Sequence, residues 1–143
     1  MSHPVKQAFK TEMALASAAR QAGDSDLEMN HLERAHIIGQ RYFFAHLSTH
    51  MQMLRLGQQR KDLREVRGQL ARLLAVLPGY VFGWVPVGNP GSARVSPVKP
   101  MPIPKDLKVH FEHYSLKREI GLRALVLAAF ALAALGIASL PSQ

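Results

Sequence analysis

The first half of the chain lacks proline across residues 5–76 and is interrupted by glycine at nearly regular intervals. The interrupting glycines are Gly23, Gly39, Gly57 and Gly79. Because glycine readily adopts the left-handed conformation that ends many helices, this spacing predicts four consecutive helices, each ended by a glycine. We expect these helices at about residues 5–22, 25–38, 41–56 and 61–77.

Apolar residues recur at helical spacing in this half of the chain. Leu63, Val66, Leu70, Leu73 and Leu77 share one face of the fourth predicted helix, and this stripe is expected to face the core. Short loops between amphipathic helices make them antiparallel neighbours. The pattern predicts an all-α domain over residues 1–79, with four helices in a tetratricopeptide-like pair of hairpins.

The start of the second helix carries the sequence Ser25-Asp26-Leu27-Glu28. This spacing is typical of a capping box, in which the hydroxyl of Ser25 and the carboxylate of Glu28 accept hydrogen bonds from free amides of the first turn. We therefore expect Ser25 to be the N-cap residue.

Residues 80–107 are rich in glycine and proline and are expected to form an ordered arm or linker of extended geometry. Its aromatic start, at Tyr80, Phe82 and Trp84, is compatible with folding back on the bundle. A polyproline-like segment loses little entropy on docking, which favours a role in binding a partner. The expected contact residues are Trp84, Pro97, Pro100, Pro102 and Pro104.

The carboxy-terminal part begins with a predicted short juxtamembrane helix over residues 108–118 and continues into an apolar run. Residues 124–140 carry no charge and no polar side chain except Ser139, so a transmembrane helix is predicted over residues 119–141. An alanine-rich core helix is the alternative, but the predicted bundle is too small to enclose one. Basic residues precede the run, which predicts a single-pass protein of the inner (cytoplasmic) membrane with its amino-terminal domain in the cytoplasm. The residues expected in contact with lipid are Arg123, Leu125, Leu127, Phe130, Leu132, Leu135, Ile137 and Leu140.

Four of the seven histidines lie between residues 31 and 50. His46 and His50 are one helical turn apart, and Glu33 and His36 would face them across a hairpin at Gly39. Imidazole and carboxylate ligands suit zinc, iron, copper or nickel, a thioether from Met51 or Met53 would favour Cu(I), and a bis-histidine haem is also compatible. The alternative is that these histidines only fill a helix seam or respond to pH.

Composition narrows the functional classes. The chain has no cysteine, which excludes disulfides, thiolate metal sites and cysteine nucleophiles. The formal net charge of +8 permits attraction to anionic partners. The basic positions between Arg55 and Arg72 are interpreted as a solvated face, and without a nucleic-acid motif we expect no nucleic-acid partner. No nucleophile and base occur in a recognisable context, so we expect no enzyme.

Several segments together resemble the bacterial domain of unknown function family 3703. They are HLERAHIIGQ, the His46 and His50 pair followed by MLRLG, EVRGQLARLL and VGNPGSARVSPVKPMPIPKDL. The resemblance covers roughly residues 5–107 and implies a short helical protein. It also implies that His36, His46 and His50 occupy positions that are usually histidine, which strengthens the expectation of a site there. The apolar carboxy-terminal run extends beyond the resemblance.

From the sequence we expect a small, non-catalytic accessory subunit of an integral membrane protein complex. It would bind the bilayer and a larger partner through its arm and its transmembrane helix. A metal-binding or haem-binding protein that uses Glu33, His36, His46 and His50 is the alternative, with Zn, Cu or Fe as the metal.

Overall fold

The computed structural model describes residues 1–112, Gly121, Ala124 and Leu125. This part of the chain is all-α and contains no β-strand. The α-helices are α1 (His3–Gln21), α2 (Ser25–Gly39), α3 (Phe43–Gln59) and α4 (Leu63–Phe82). A 3-10 helix follows at Lys105–Phe111.

Consecutive helices pack against each other: α1 on α2, α2 on α3, and α3 on α4. One core cluster lies among the first three helices and is formed by Ala16, Met29, Leu32, Met53 and Leu56. The second cluster joins Val5 of α1 and the end of α2 to Leu107 of the 3-10 helix. The chain therefore returns after the proline-rich segment to the face formed by α1 and α2.

The glycines end fewer helices than their spacing predicts. Gly23 has a φ of 76° after α1, as expected, but α3 runs past Gly57 and ends before Lys61, whose φ is 55°. A Cβ on Gly57 would lie 3.1 Å from Cβ of Glu65, so this glycine allows α3 and α4 to approach closely. Similarly, α4 continues through Gly79 to Phe82 and ends at Gly83, whose φ is 68°.

The predicted capping box is wrong by one residue. Asp24 is the N-cap of α2, and its carboxylate accepts a hydrogen bond of 2.9 Å from the amide of Leu27. Glu28 is buried instead, where its Oε1 accepts from Arg20 at 2.9 Å and from Arg55 at 3.0 Å. Two cations therefore hold this carboxylate in the interior, which prevents it from capping the helix.

The fourth helix packs on the core with the face opposite to the predicted one. Its buried residues are Glu65, Gln69, Arg72 and Val76, whereas Leu63, Leu70, Leu74 and Leu77 are exposed on the opposite face. The interpretation of Arg72 as part of a solvated basic face is wrong for the same reason. A helix that turns its polar side inward must have polar partners there.

Residues 80–107 do not form a separate extended arm. The first three residues belong to α4, and the following segment folds back on the bundle, where Val85, Asn89, Ser92 and Leu107 are buried. Among the helices of the described residues, we find none with the length and hydropathy needed to cross a bilayer. The predicted span at residues 119–141 lies outside the described residues except for Gly121, Ala124 and Leu125. The predicted juxtamembrane helix lies outside them from residue 113 onward.

Candidate metal centre

Three histidines meet at the seam between α2, α3 and α4. His36 comes from the last turn of α2, while His46 and His50 lie one turn apart on α3. Each pair of rings has a centroid separation of 4.7 Å. One nitrogen from each ring can be chosen so that all three atoms lie within 4.8 Å of one another. The arrangement brings three imidazole donors from two helices to one point.

The backbone of the glycine-proline segment sets the tautomer of His36. Nδ1 of His36 lies 2.9 Å from the carbonyl oxygen of Asn89 and must donate to it, because a carbonyl only accepts. Nε2 therefore carries a lone pair. This atom is buried and has no hydrogen-bond partner among the described residues. A buried acceptor without a partner is costly, so this nitrogen is available to accept from a water molecule or to bind an ion.

A buried amide sets the tautomer of His50 in the same way. Nε2 of Gln69 donates to Glu65 Oε1 at 2.7 Å and to the carbonyl of Gly91 at 2.9 Å. This orients the amide so that its oxygen faces His50 Nδ1 at 2.6 Å and accepts its proton. Nε2 of His50 is therefore also a lone-pair donor.

The third histidine completes the group. Nε2 of His46 lies 2.9 Å from Nε2 of His50. Because His50 Nε2 has no proton, either the proton of His46 or a metal ion must lie between these two nitrogens. Two ligands of a tetrahedral ion with bonds of about 2.0–2.1 Å are roughly 3.3 Å apart, so a small rotation of the rings would accommodate an ion.

All three imidazoles are neutral at physiological pH, which is the form that binds metal. Burial lowers the pKa of His46 to about 4. Burial and the nearby His46 lower the pKa of His50 to about 3. The pKa of His36 lies well below its ordinary value because the ring is buried beside the other two histidines.

The segment at residues 86–99 forms the wall over the three rings. The side-chain amide of Asn89 donates at 2.8 Å to the carbonyls of Ser96 and Lys99, and its oxygen accepts from the amide of Gly91 at 2.9 Å. A Cβ on Gly91 would lie 2.7 Å from the ring of His36. Glycine is therefore needed at this position for the backbone to reach the ring.

The inward polar face of α4 supports this wall and the histidines. Arg72 donates to the carbonyls of Ser92 at 3.0 Å and Val95 at 2.7 Å. Glu65 Oε2 accepts from the amide of Ala93 at 3.0 Å. A cavity of about 60 Å³ remains at the rings, lined by the three histidines together with Arg72, Ala75, Gly79, Trp84, Pro86, Asn89, Gly91 and Pro97.

Not every predicted ligand lies in this group. Glu33 is not among the residues whose donor atoms lie within 4.8 Å of one another in the described part of the chain. His31 pairs with Glu12 at 2.8 Å instead. Met53 is part of the hydrophobic core, and Met51 is exposed.

The residues predicted to bind a partner separate into two groups. Trp84, 74% exposed, and Pro97 line the open side of the histidine cavity. Pro100 and Pro102 are exposed on the later part of the segment, and Pro104 precedes the 3-10 helix. The first two residues therefore belong to the candidate site itself.

The sequence reasoning missed Gln69, Asn89 and Gly91, which orient the imidazoles. A signal was present, because Glu65, Gln69 and Arg72 recur at spacings of four and three on one face of α4. A polar stripe at helical spacing is ordinarily read as a solvated face.

The comparisons with known proteins give one match. No curated protein and no solved structure is significantly similar to the chain. The model of the family described as "Protein of unknown function (DUF3703)" matches residues 3–111, which include all three histidines and the segment that covers them. A match over this share of its length means that the chain belongs to the DUF3703 family.

Proposed function

We propose that this protein binds one transition-metal ion through Nε2 of His36, His46 and His50, with zinc as the expected ion. The observation that carries the proposal is the buried Nε2 of His36, which has no partner among the described residues and lies beside two further imidazoles. The second nitrogens of His36 and His50 are held by a carbonyl and an amide oxygen. Such outer contacts are typical of histidines that ligate metal.

The donor set favours zinc over the other ions considered. Three imidazoles with one open position are an established zinc arrangement, whereas non-haem iron sites usually include a carboxylate. Haem is disfavoured because cavities for ligands of that size are about 300–1,000 Å³, far larger than the 60 Å³ at the histidines. Copper bound by imidazole alone is the remaining competitor.

The metal content of the purified full-length chain tests this proposal. The protein is produced in medium supplemented with zinc, copper and iron and is purified in mild detergent without chelator. We expect about one zinc ion per chain by elemental analysis. The His46→Ala, His50→Ala double variant should lose the ion. A wild-type protein that is folded and remains metal-free after incubation with zinc would rule the proposal out.

His31→Ala is the matched control for this experiment. It also removes an imidazole from the same part of the chain, but His31 contacts Glu12 and lies outside the three-histidine group. Its metal content should equal that of the wild type. Far-ultraviolet circular dichroism of all variants separates loss of the ion from loss of the fold. Equal metal loss in the folded control would show that the ion binds elsewhere.

A role as an accessory subunit of a membrane protein complex is the second candidate function. Leu63, Leu70, Leu74 and Leu77 are between 50% and 82% exposed and lie on one face of α4. A contiguous apolar face is a common docking surface. The proposed partner is the apolar surface of an integral membrane protein, with attachment to the inner membrane by a transmembrane helix at residues 119–141 and the amino-terminal domain in the cytoplasm. Neighbour-on-neighbour helix packing supports the proposed tetratricopeptide-like arrangement.

Two measurements test this second function. The full chain should stay with the membrane after alkaline carbonate extraction, and a variant truncated after residue 112 should be released. Leu70→Glu with Leu74→Glu should abolish co-purification of a stoichiometric membrane protein without changing the metal content. Release of the full chain by carbonate would exclude the span, and unchanged co-purification in the double variant would exclude the leucine face.

A further inference from the structure

The residues around the histidines leave the charge of a divalent ion poorly compensated. The three donors are neutral imidazoles, and the guanidinium of Arg72 lines the same cavity. The carboxylate of Glu65 belongs to the same hydrogen-bond network, and both of its oxygens accept hydrogen bonds, from Gln69 and from Ala93. Buried charge without a counter-charge is unfavourable by several kcal/mol. Glu65 offsets one of the positive charges, and a negative ligand would offset another, so an ion at this site favours an anionic ligand.

The geometry leaves a place for such a ligand. Three histidine donors would supply three of the four ligands that a tetrahedral ion takes. The cavity beside the three rings is also lined by Arg72, Ala75 and Trp84, and it is the space open to a fourth ligand; Trp84 is largely exposed. Exchange with solvent is therefore structurally available.

The size of the cavity limits what can enter. Its volume of about 60 Å³ compares with about 10–15 Å³, measured in the same way, for a cavity that holds one water molecule. An ion with one ligand of two or three atoms fills this space. A phosphate ester, a nucleotide or an amphiphile is larger than this space.

From charge, geometry and volume together we propose that the metal in this site takes one small anion as its fourth ligand, beside the guanidinium of Arg72. The chemical class is hydroxide, halide or a short linear anion such as azide or cyanate. This inference rests on the proposed metal-binding function and adds an exchangeable ligand to it.

The experiment uses the full chain with Co(II) in place of zinc, because the visible spectrum of Co(II) reports its coordination. Azide is titrated into the loaded protein. We expect a saturable change in the Co(II) bands with a stoichiometry of one, and no change with phenylphosphonate, which is anionic but too large. Chloride should compete with azide.

Two variants connect the response to the cavity. Arg72→Met should weaken azide binding by about tenfold with Co(II) still bound. Because Arg72 also holds the backbone of Ser92 and Val95, a second variant is needed. Ala75→Leu adds volume at an exposed α4 position that lines the cavity and should exclude azide without removing a ligand. Ala71→Leu, at another exposed position on α4, is its matched control and should respond as the wild type does.

The outcomes separate this inference from the function it rests on. Failure of the folded wild type to bind Co(II) would overturn both. A Co(II) protein that depends on the histidines but whose spectrum ignores excess azide would overturn only the fourth ligand. A response to phenylphosphonate equal to that to azide would overturn the small-anion class. Preferential binding of Cu(I), whose single charge needs less compensation, in a form unaffected by anions would also overturn it.

Discussion

The amide oxygen of Gln69 lies 2.6 Å from Nδ1 of His50, and the orientation of that amide is fixed by two acceptors on its other side. One residue of α4 thereby determines which nitrogen of a histidine on α3 faces the centre of the cluster. The buried carboxylate of Glu65 accepts a hydrogen bond from the amide nitrogen of Gln69, which polarises the contact between Gln69 and His50. The polar interior of α4 is best understood as the support of the three imidazoles.

Replacing Gln69 with leucine should weaken zinc binding by about 10–100-fold, because His50 loses the partner that fixes its ring. Competition with a chromophoric chelator measures the affinity. Leu70→Gln is the control. The side chain of Leu70 is exposed, so the zinc affinity of this variant should equal that of the wild type. An affinity within about twofold of the wild type in Gln69→Leu would contradict the role given to this amide.

The stability of the apoprotein should fall as the pH is lowered from about 6.5 to about 4. The folded-state pKa values of His46 and His50, about 4 and about 3, lie below the value of 6.5 for an exposed histidine. The unfolded chain therefore binds more protons within this window, and acid favours unfolding. Each such histidine adds a slope of up to about 1.4 kcal/mol per pH unit.

Urea unfolding at several pH values checks this dependence. The His46→Gln, His50→Gln variant should show a clearly shallower dependence than the wild type, because two of the titrating groups are gone. Leu70→Gln, an uncharged substitution at an exposed position, serves as the control and should retain the wild-type slope. Parallel curves for the wild type and the double variant would mean that these histidines titrate normally in the folded protein.

Gly91→Ala should lower both stability and metal affinity. The added Cβ would lie 2.7 Å from the ring of His36, at a backbone φ of 83° that favours glycine. We expect a loss of about 1–3 kcal/mol in the free energy of unfolding from strain alone, and a displaced His36. Thermal unfolding and chelator competition measure the two effects.

Gly23→Ala separates strain from contact in that experiment. Gly23 has a similar φ of 76°, but a Cβ there meets nothing within 4 Å. This variant should be destabilised by about 1 kcal/mol and should bind zinc as the wild type does. Normal metal affinity in Gly91→Ala would contradict the close approach of the backbone to His36.

Asp24→Ala should cost about 0.5–2 kcal/mol of stability, because the carboxylate caps α2. Ser25→Ala should change stability by less than about 0.5 kcal/mol, since Ser25 lies inside the helix. Chemical denaturation of both variants decides between the two cap positions. The reverse order would restore the capping box that the sequence suggested.

The helices were predictable because their signals are local. Proline-free segments with helical periodicity located all four α-helices to within five residues, the largest difference being α4, which continues through Pro78 to Phe82. The i, i+4 spacing of His46 and His50 identified two members of the cluster. The pairing with His36 was also anticipated, since a hairpin brings the end of α2 beside the start of α3.

The inner face of α4 and the hydrogen bonds that hold the histidines depend on contacts between residues far apart in sequence. The predicted inner face of α4 was wrong because its apolar stripe, in which Leu63, Leu70 and Leu77 are exposed, outweighs three polar residues in any periodicity argument. Only the returning segment, with carbonyls and amides that pair with Glu65, Gln69 and Arg72, makes the polar face the inner one. Sequence spacing alone does not contain the bond from His36 to Asn89, which joins residues 53 positions apart.

The seam between α3 and α4 is formed largely by polar side chains, so apolar burial contributes less there than between α1 and α2. In the proposed metal-bound protein, the ion supplies part of the stabilisation that apolar burial does not provide at this seam. An ion present at a thousand times its dissociation constant adds about 4 kcal/mol to stability. The abundance of folded copies should then follow the supply of the metal in the cell, with starved chains removed by proteolysis.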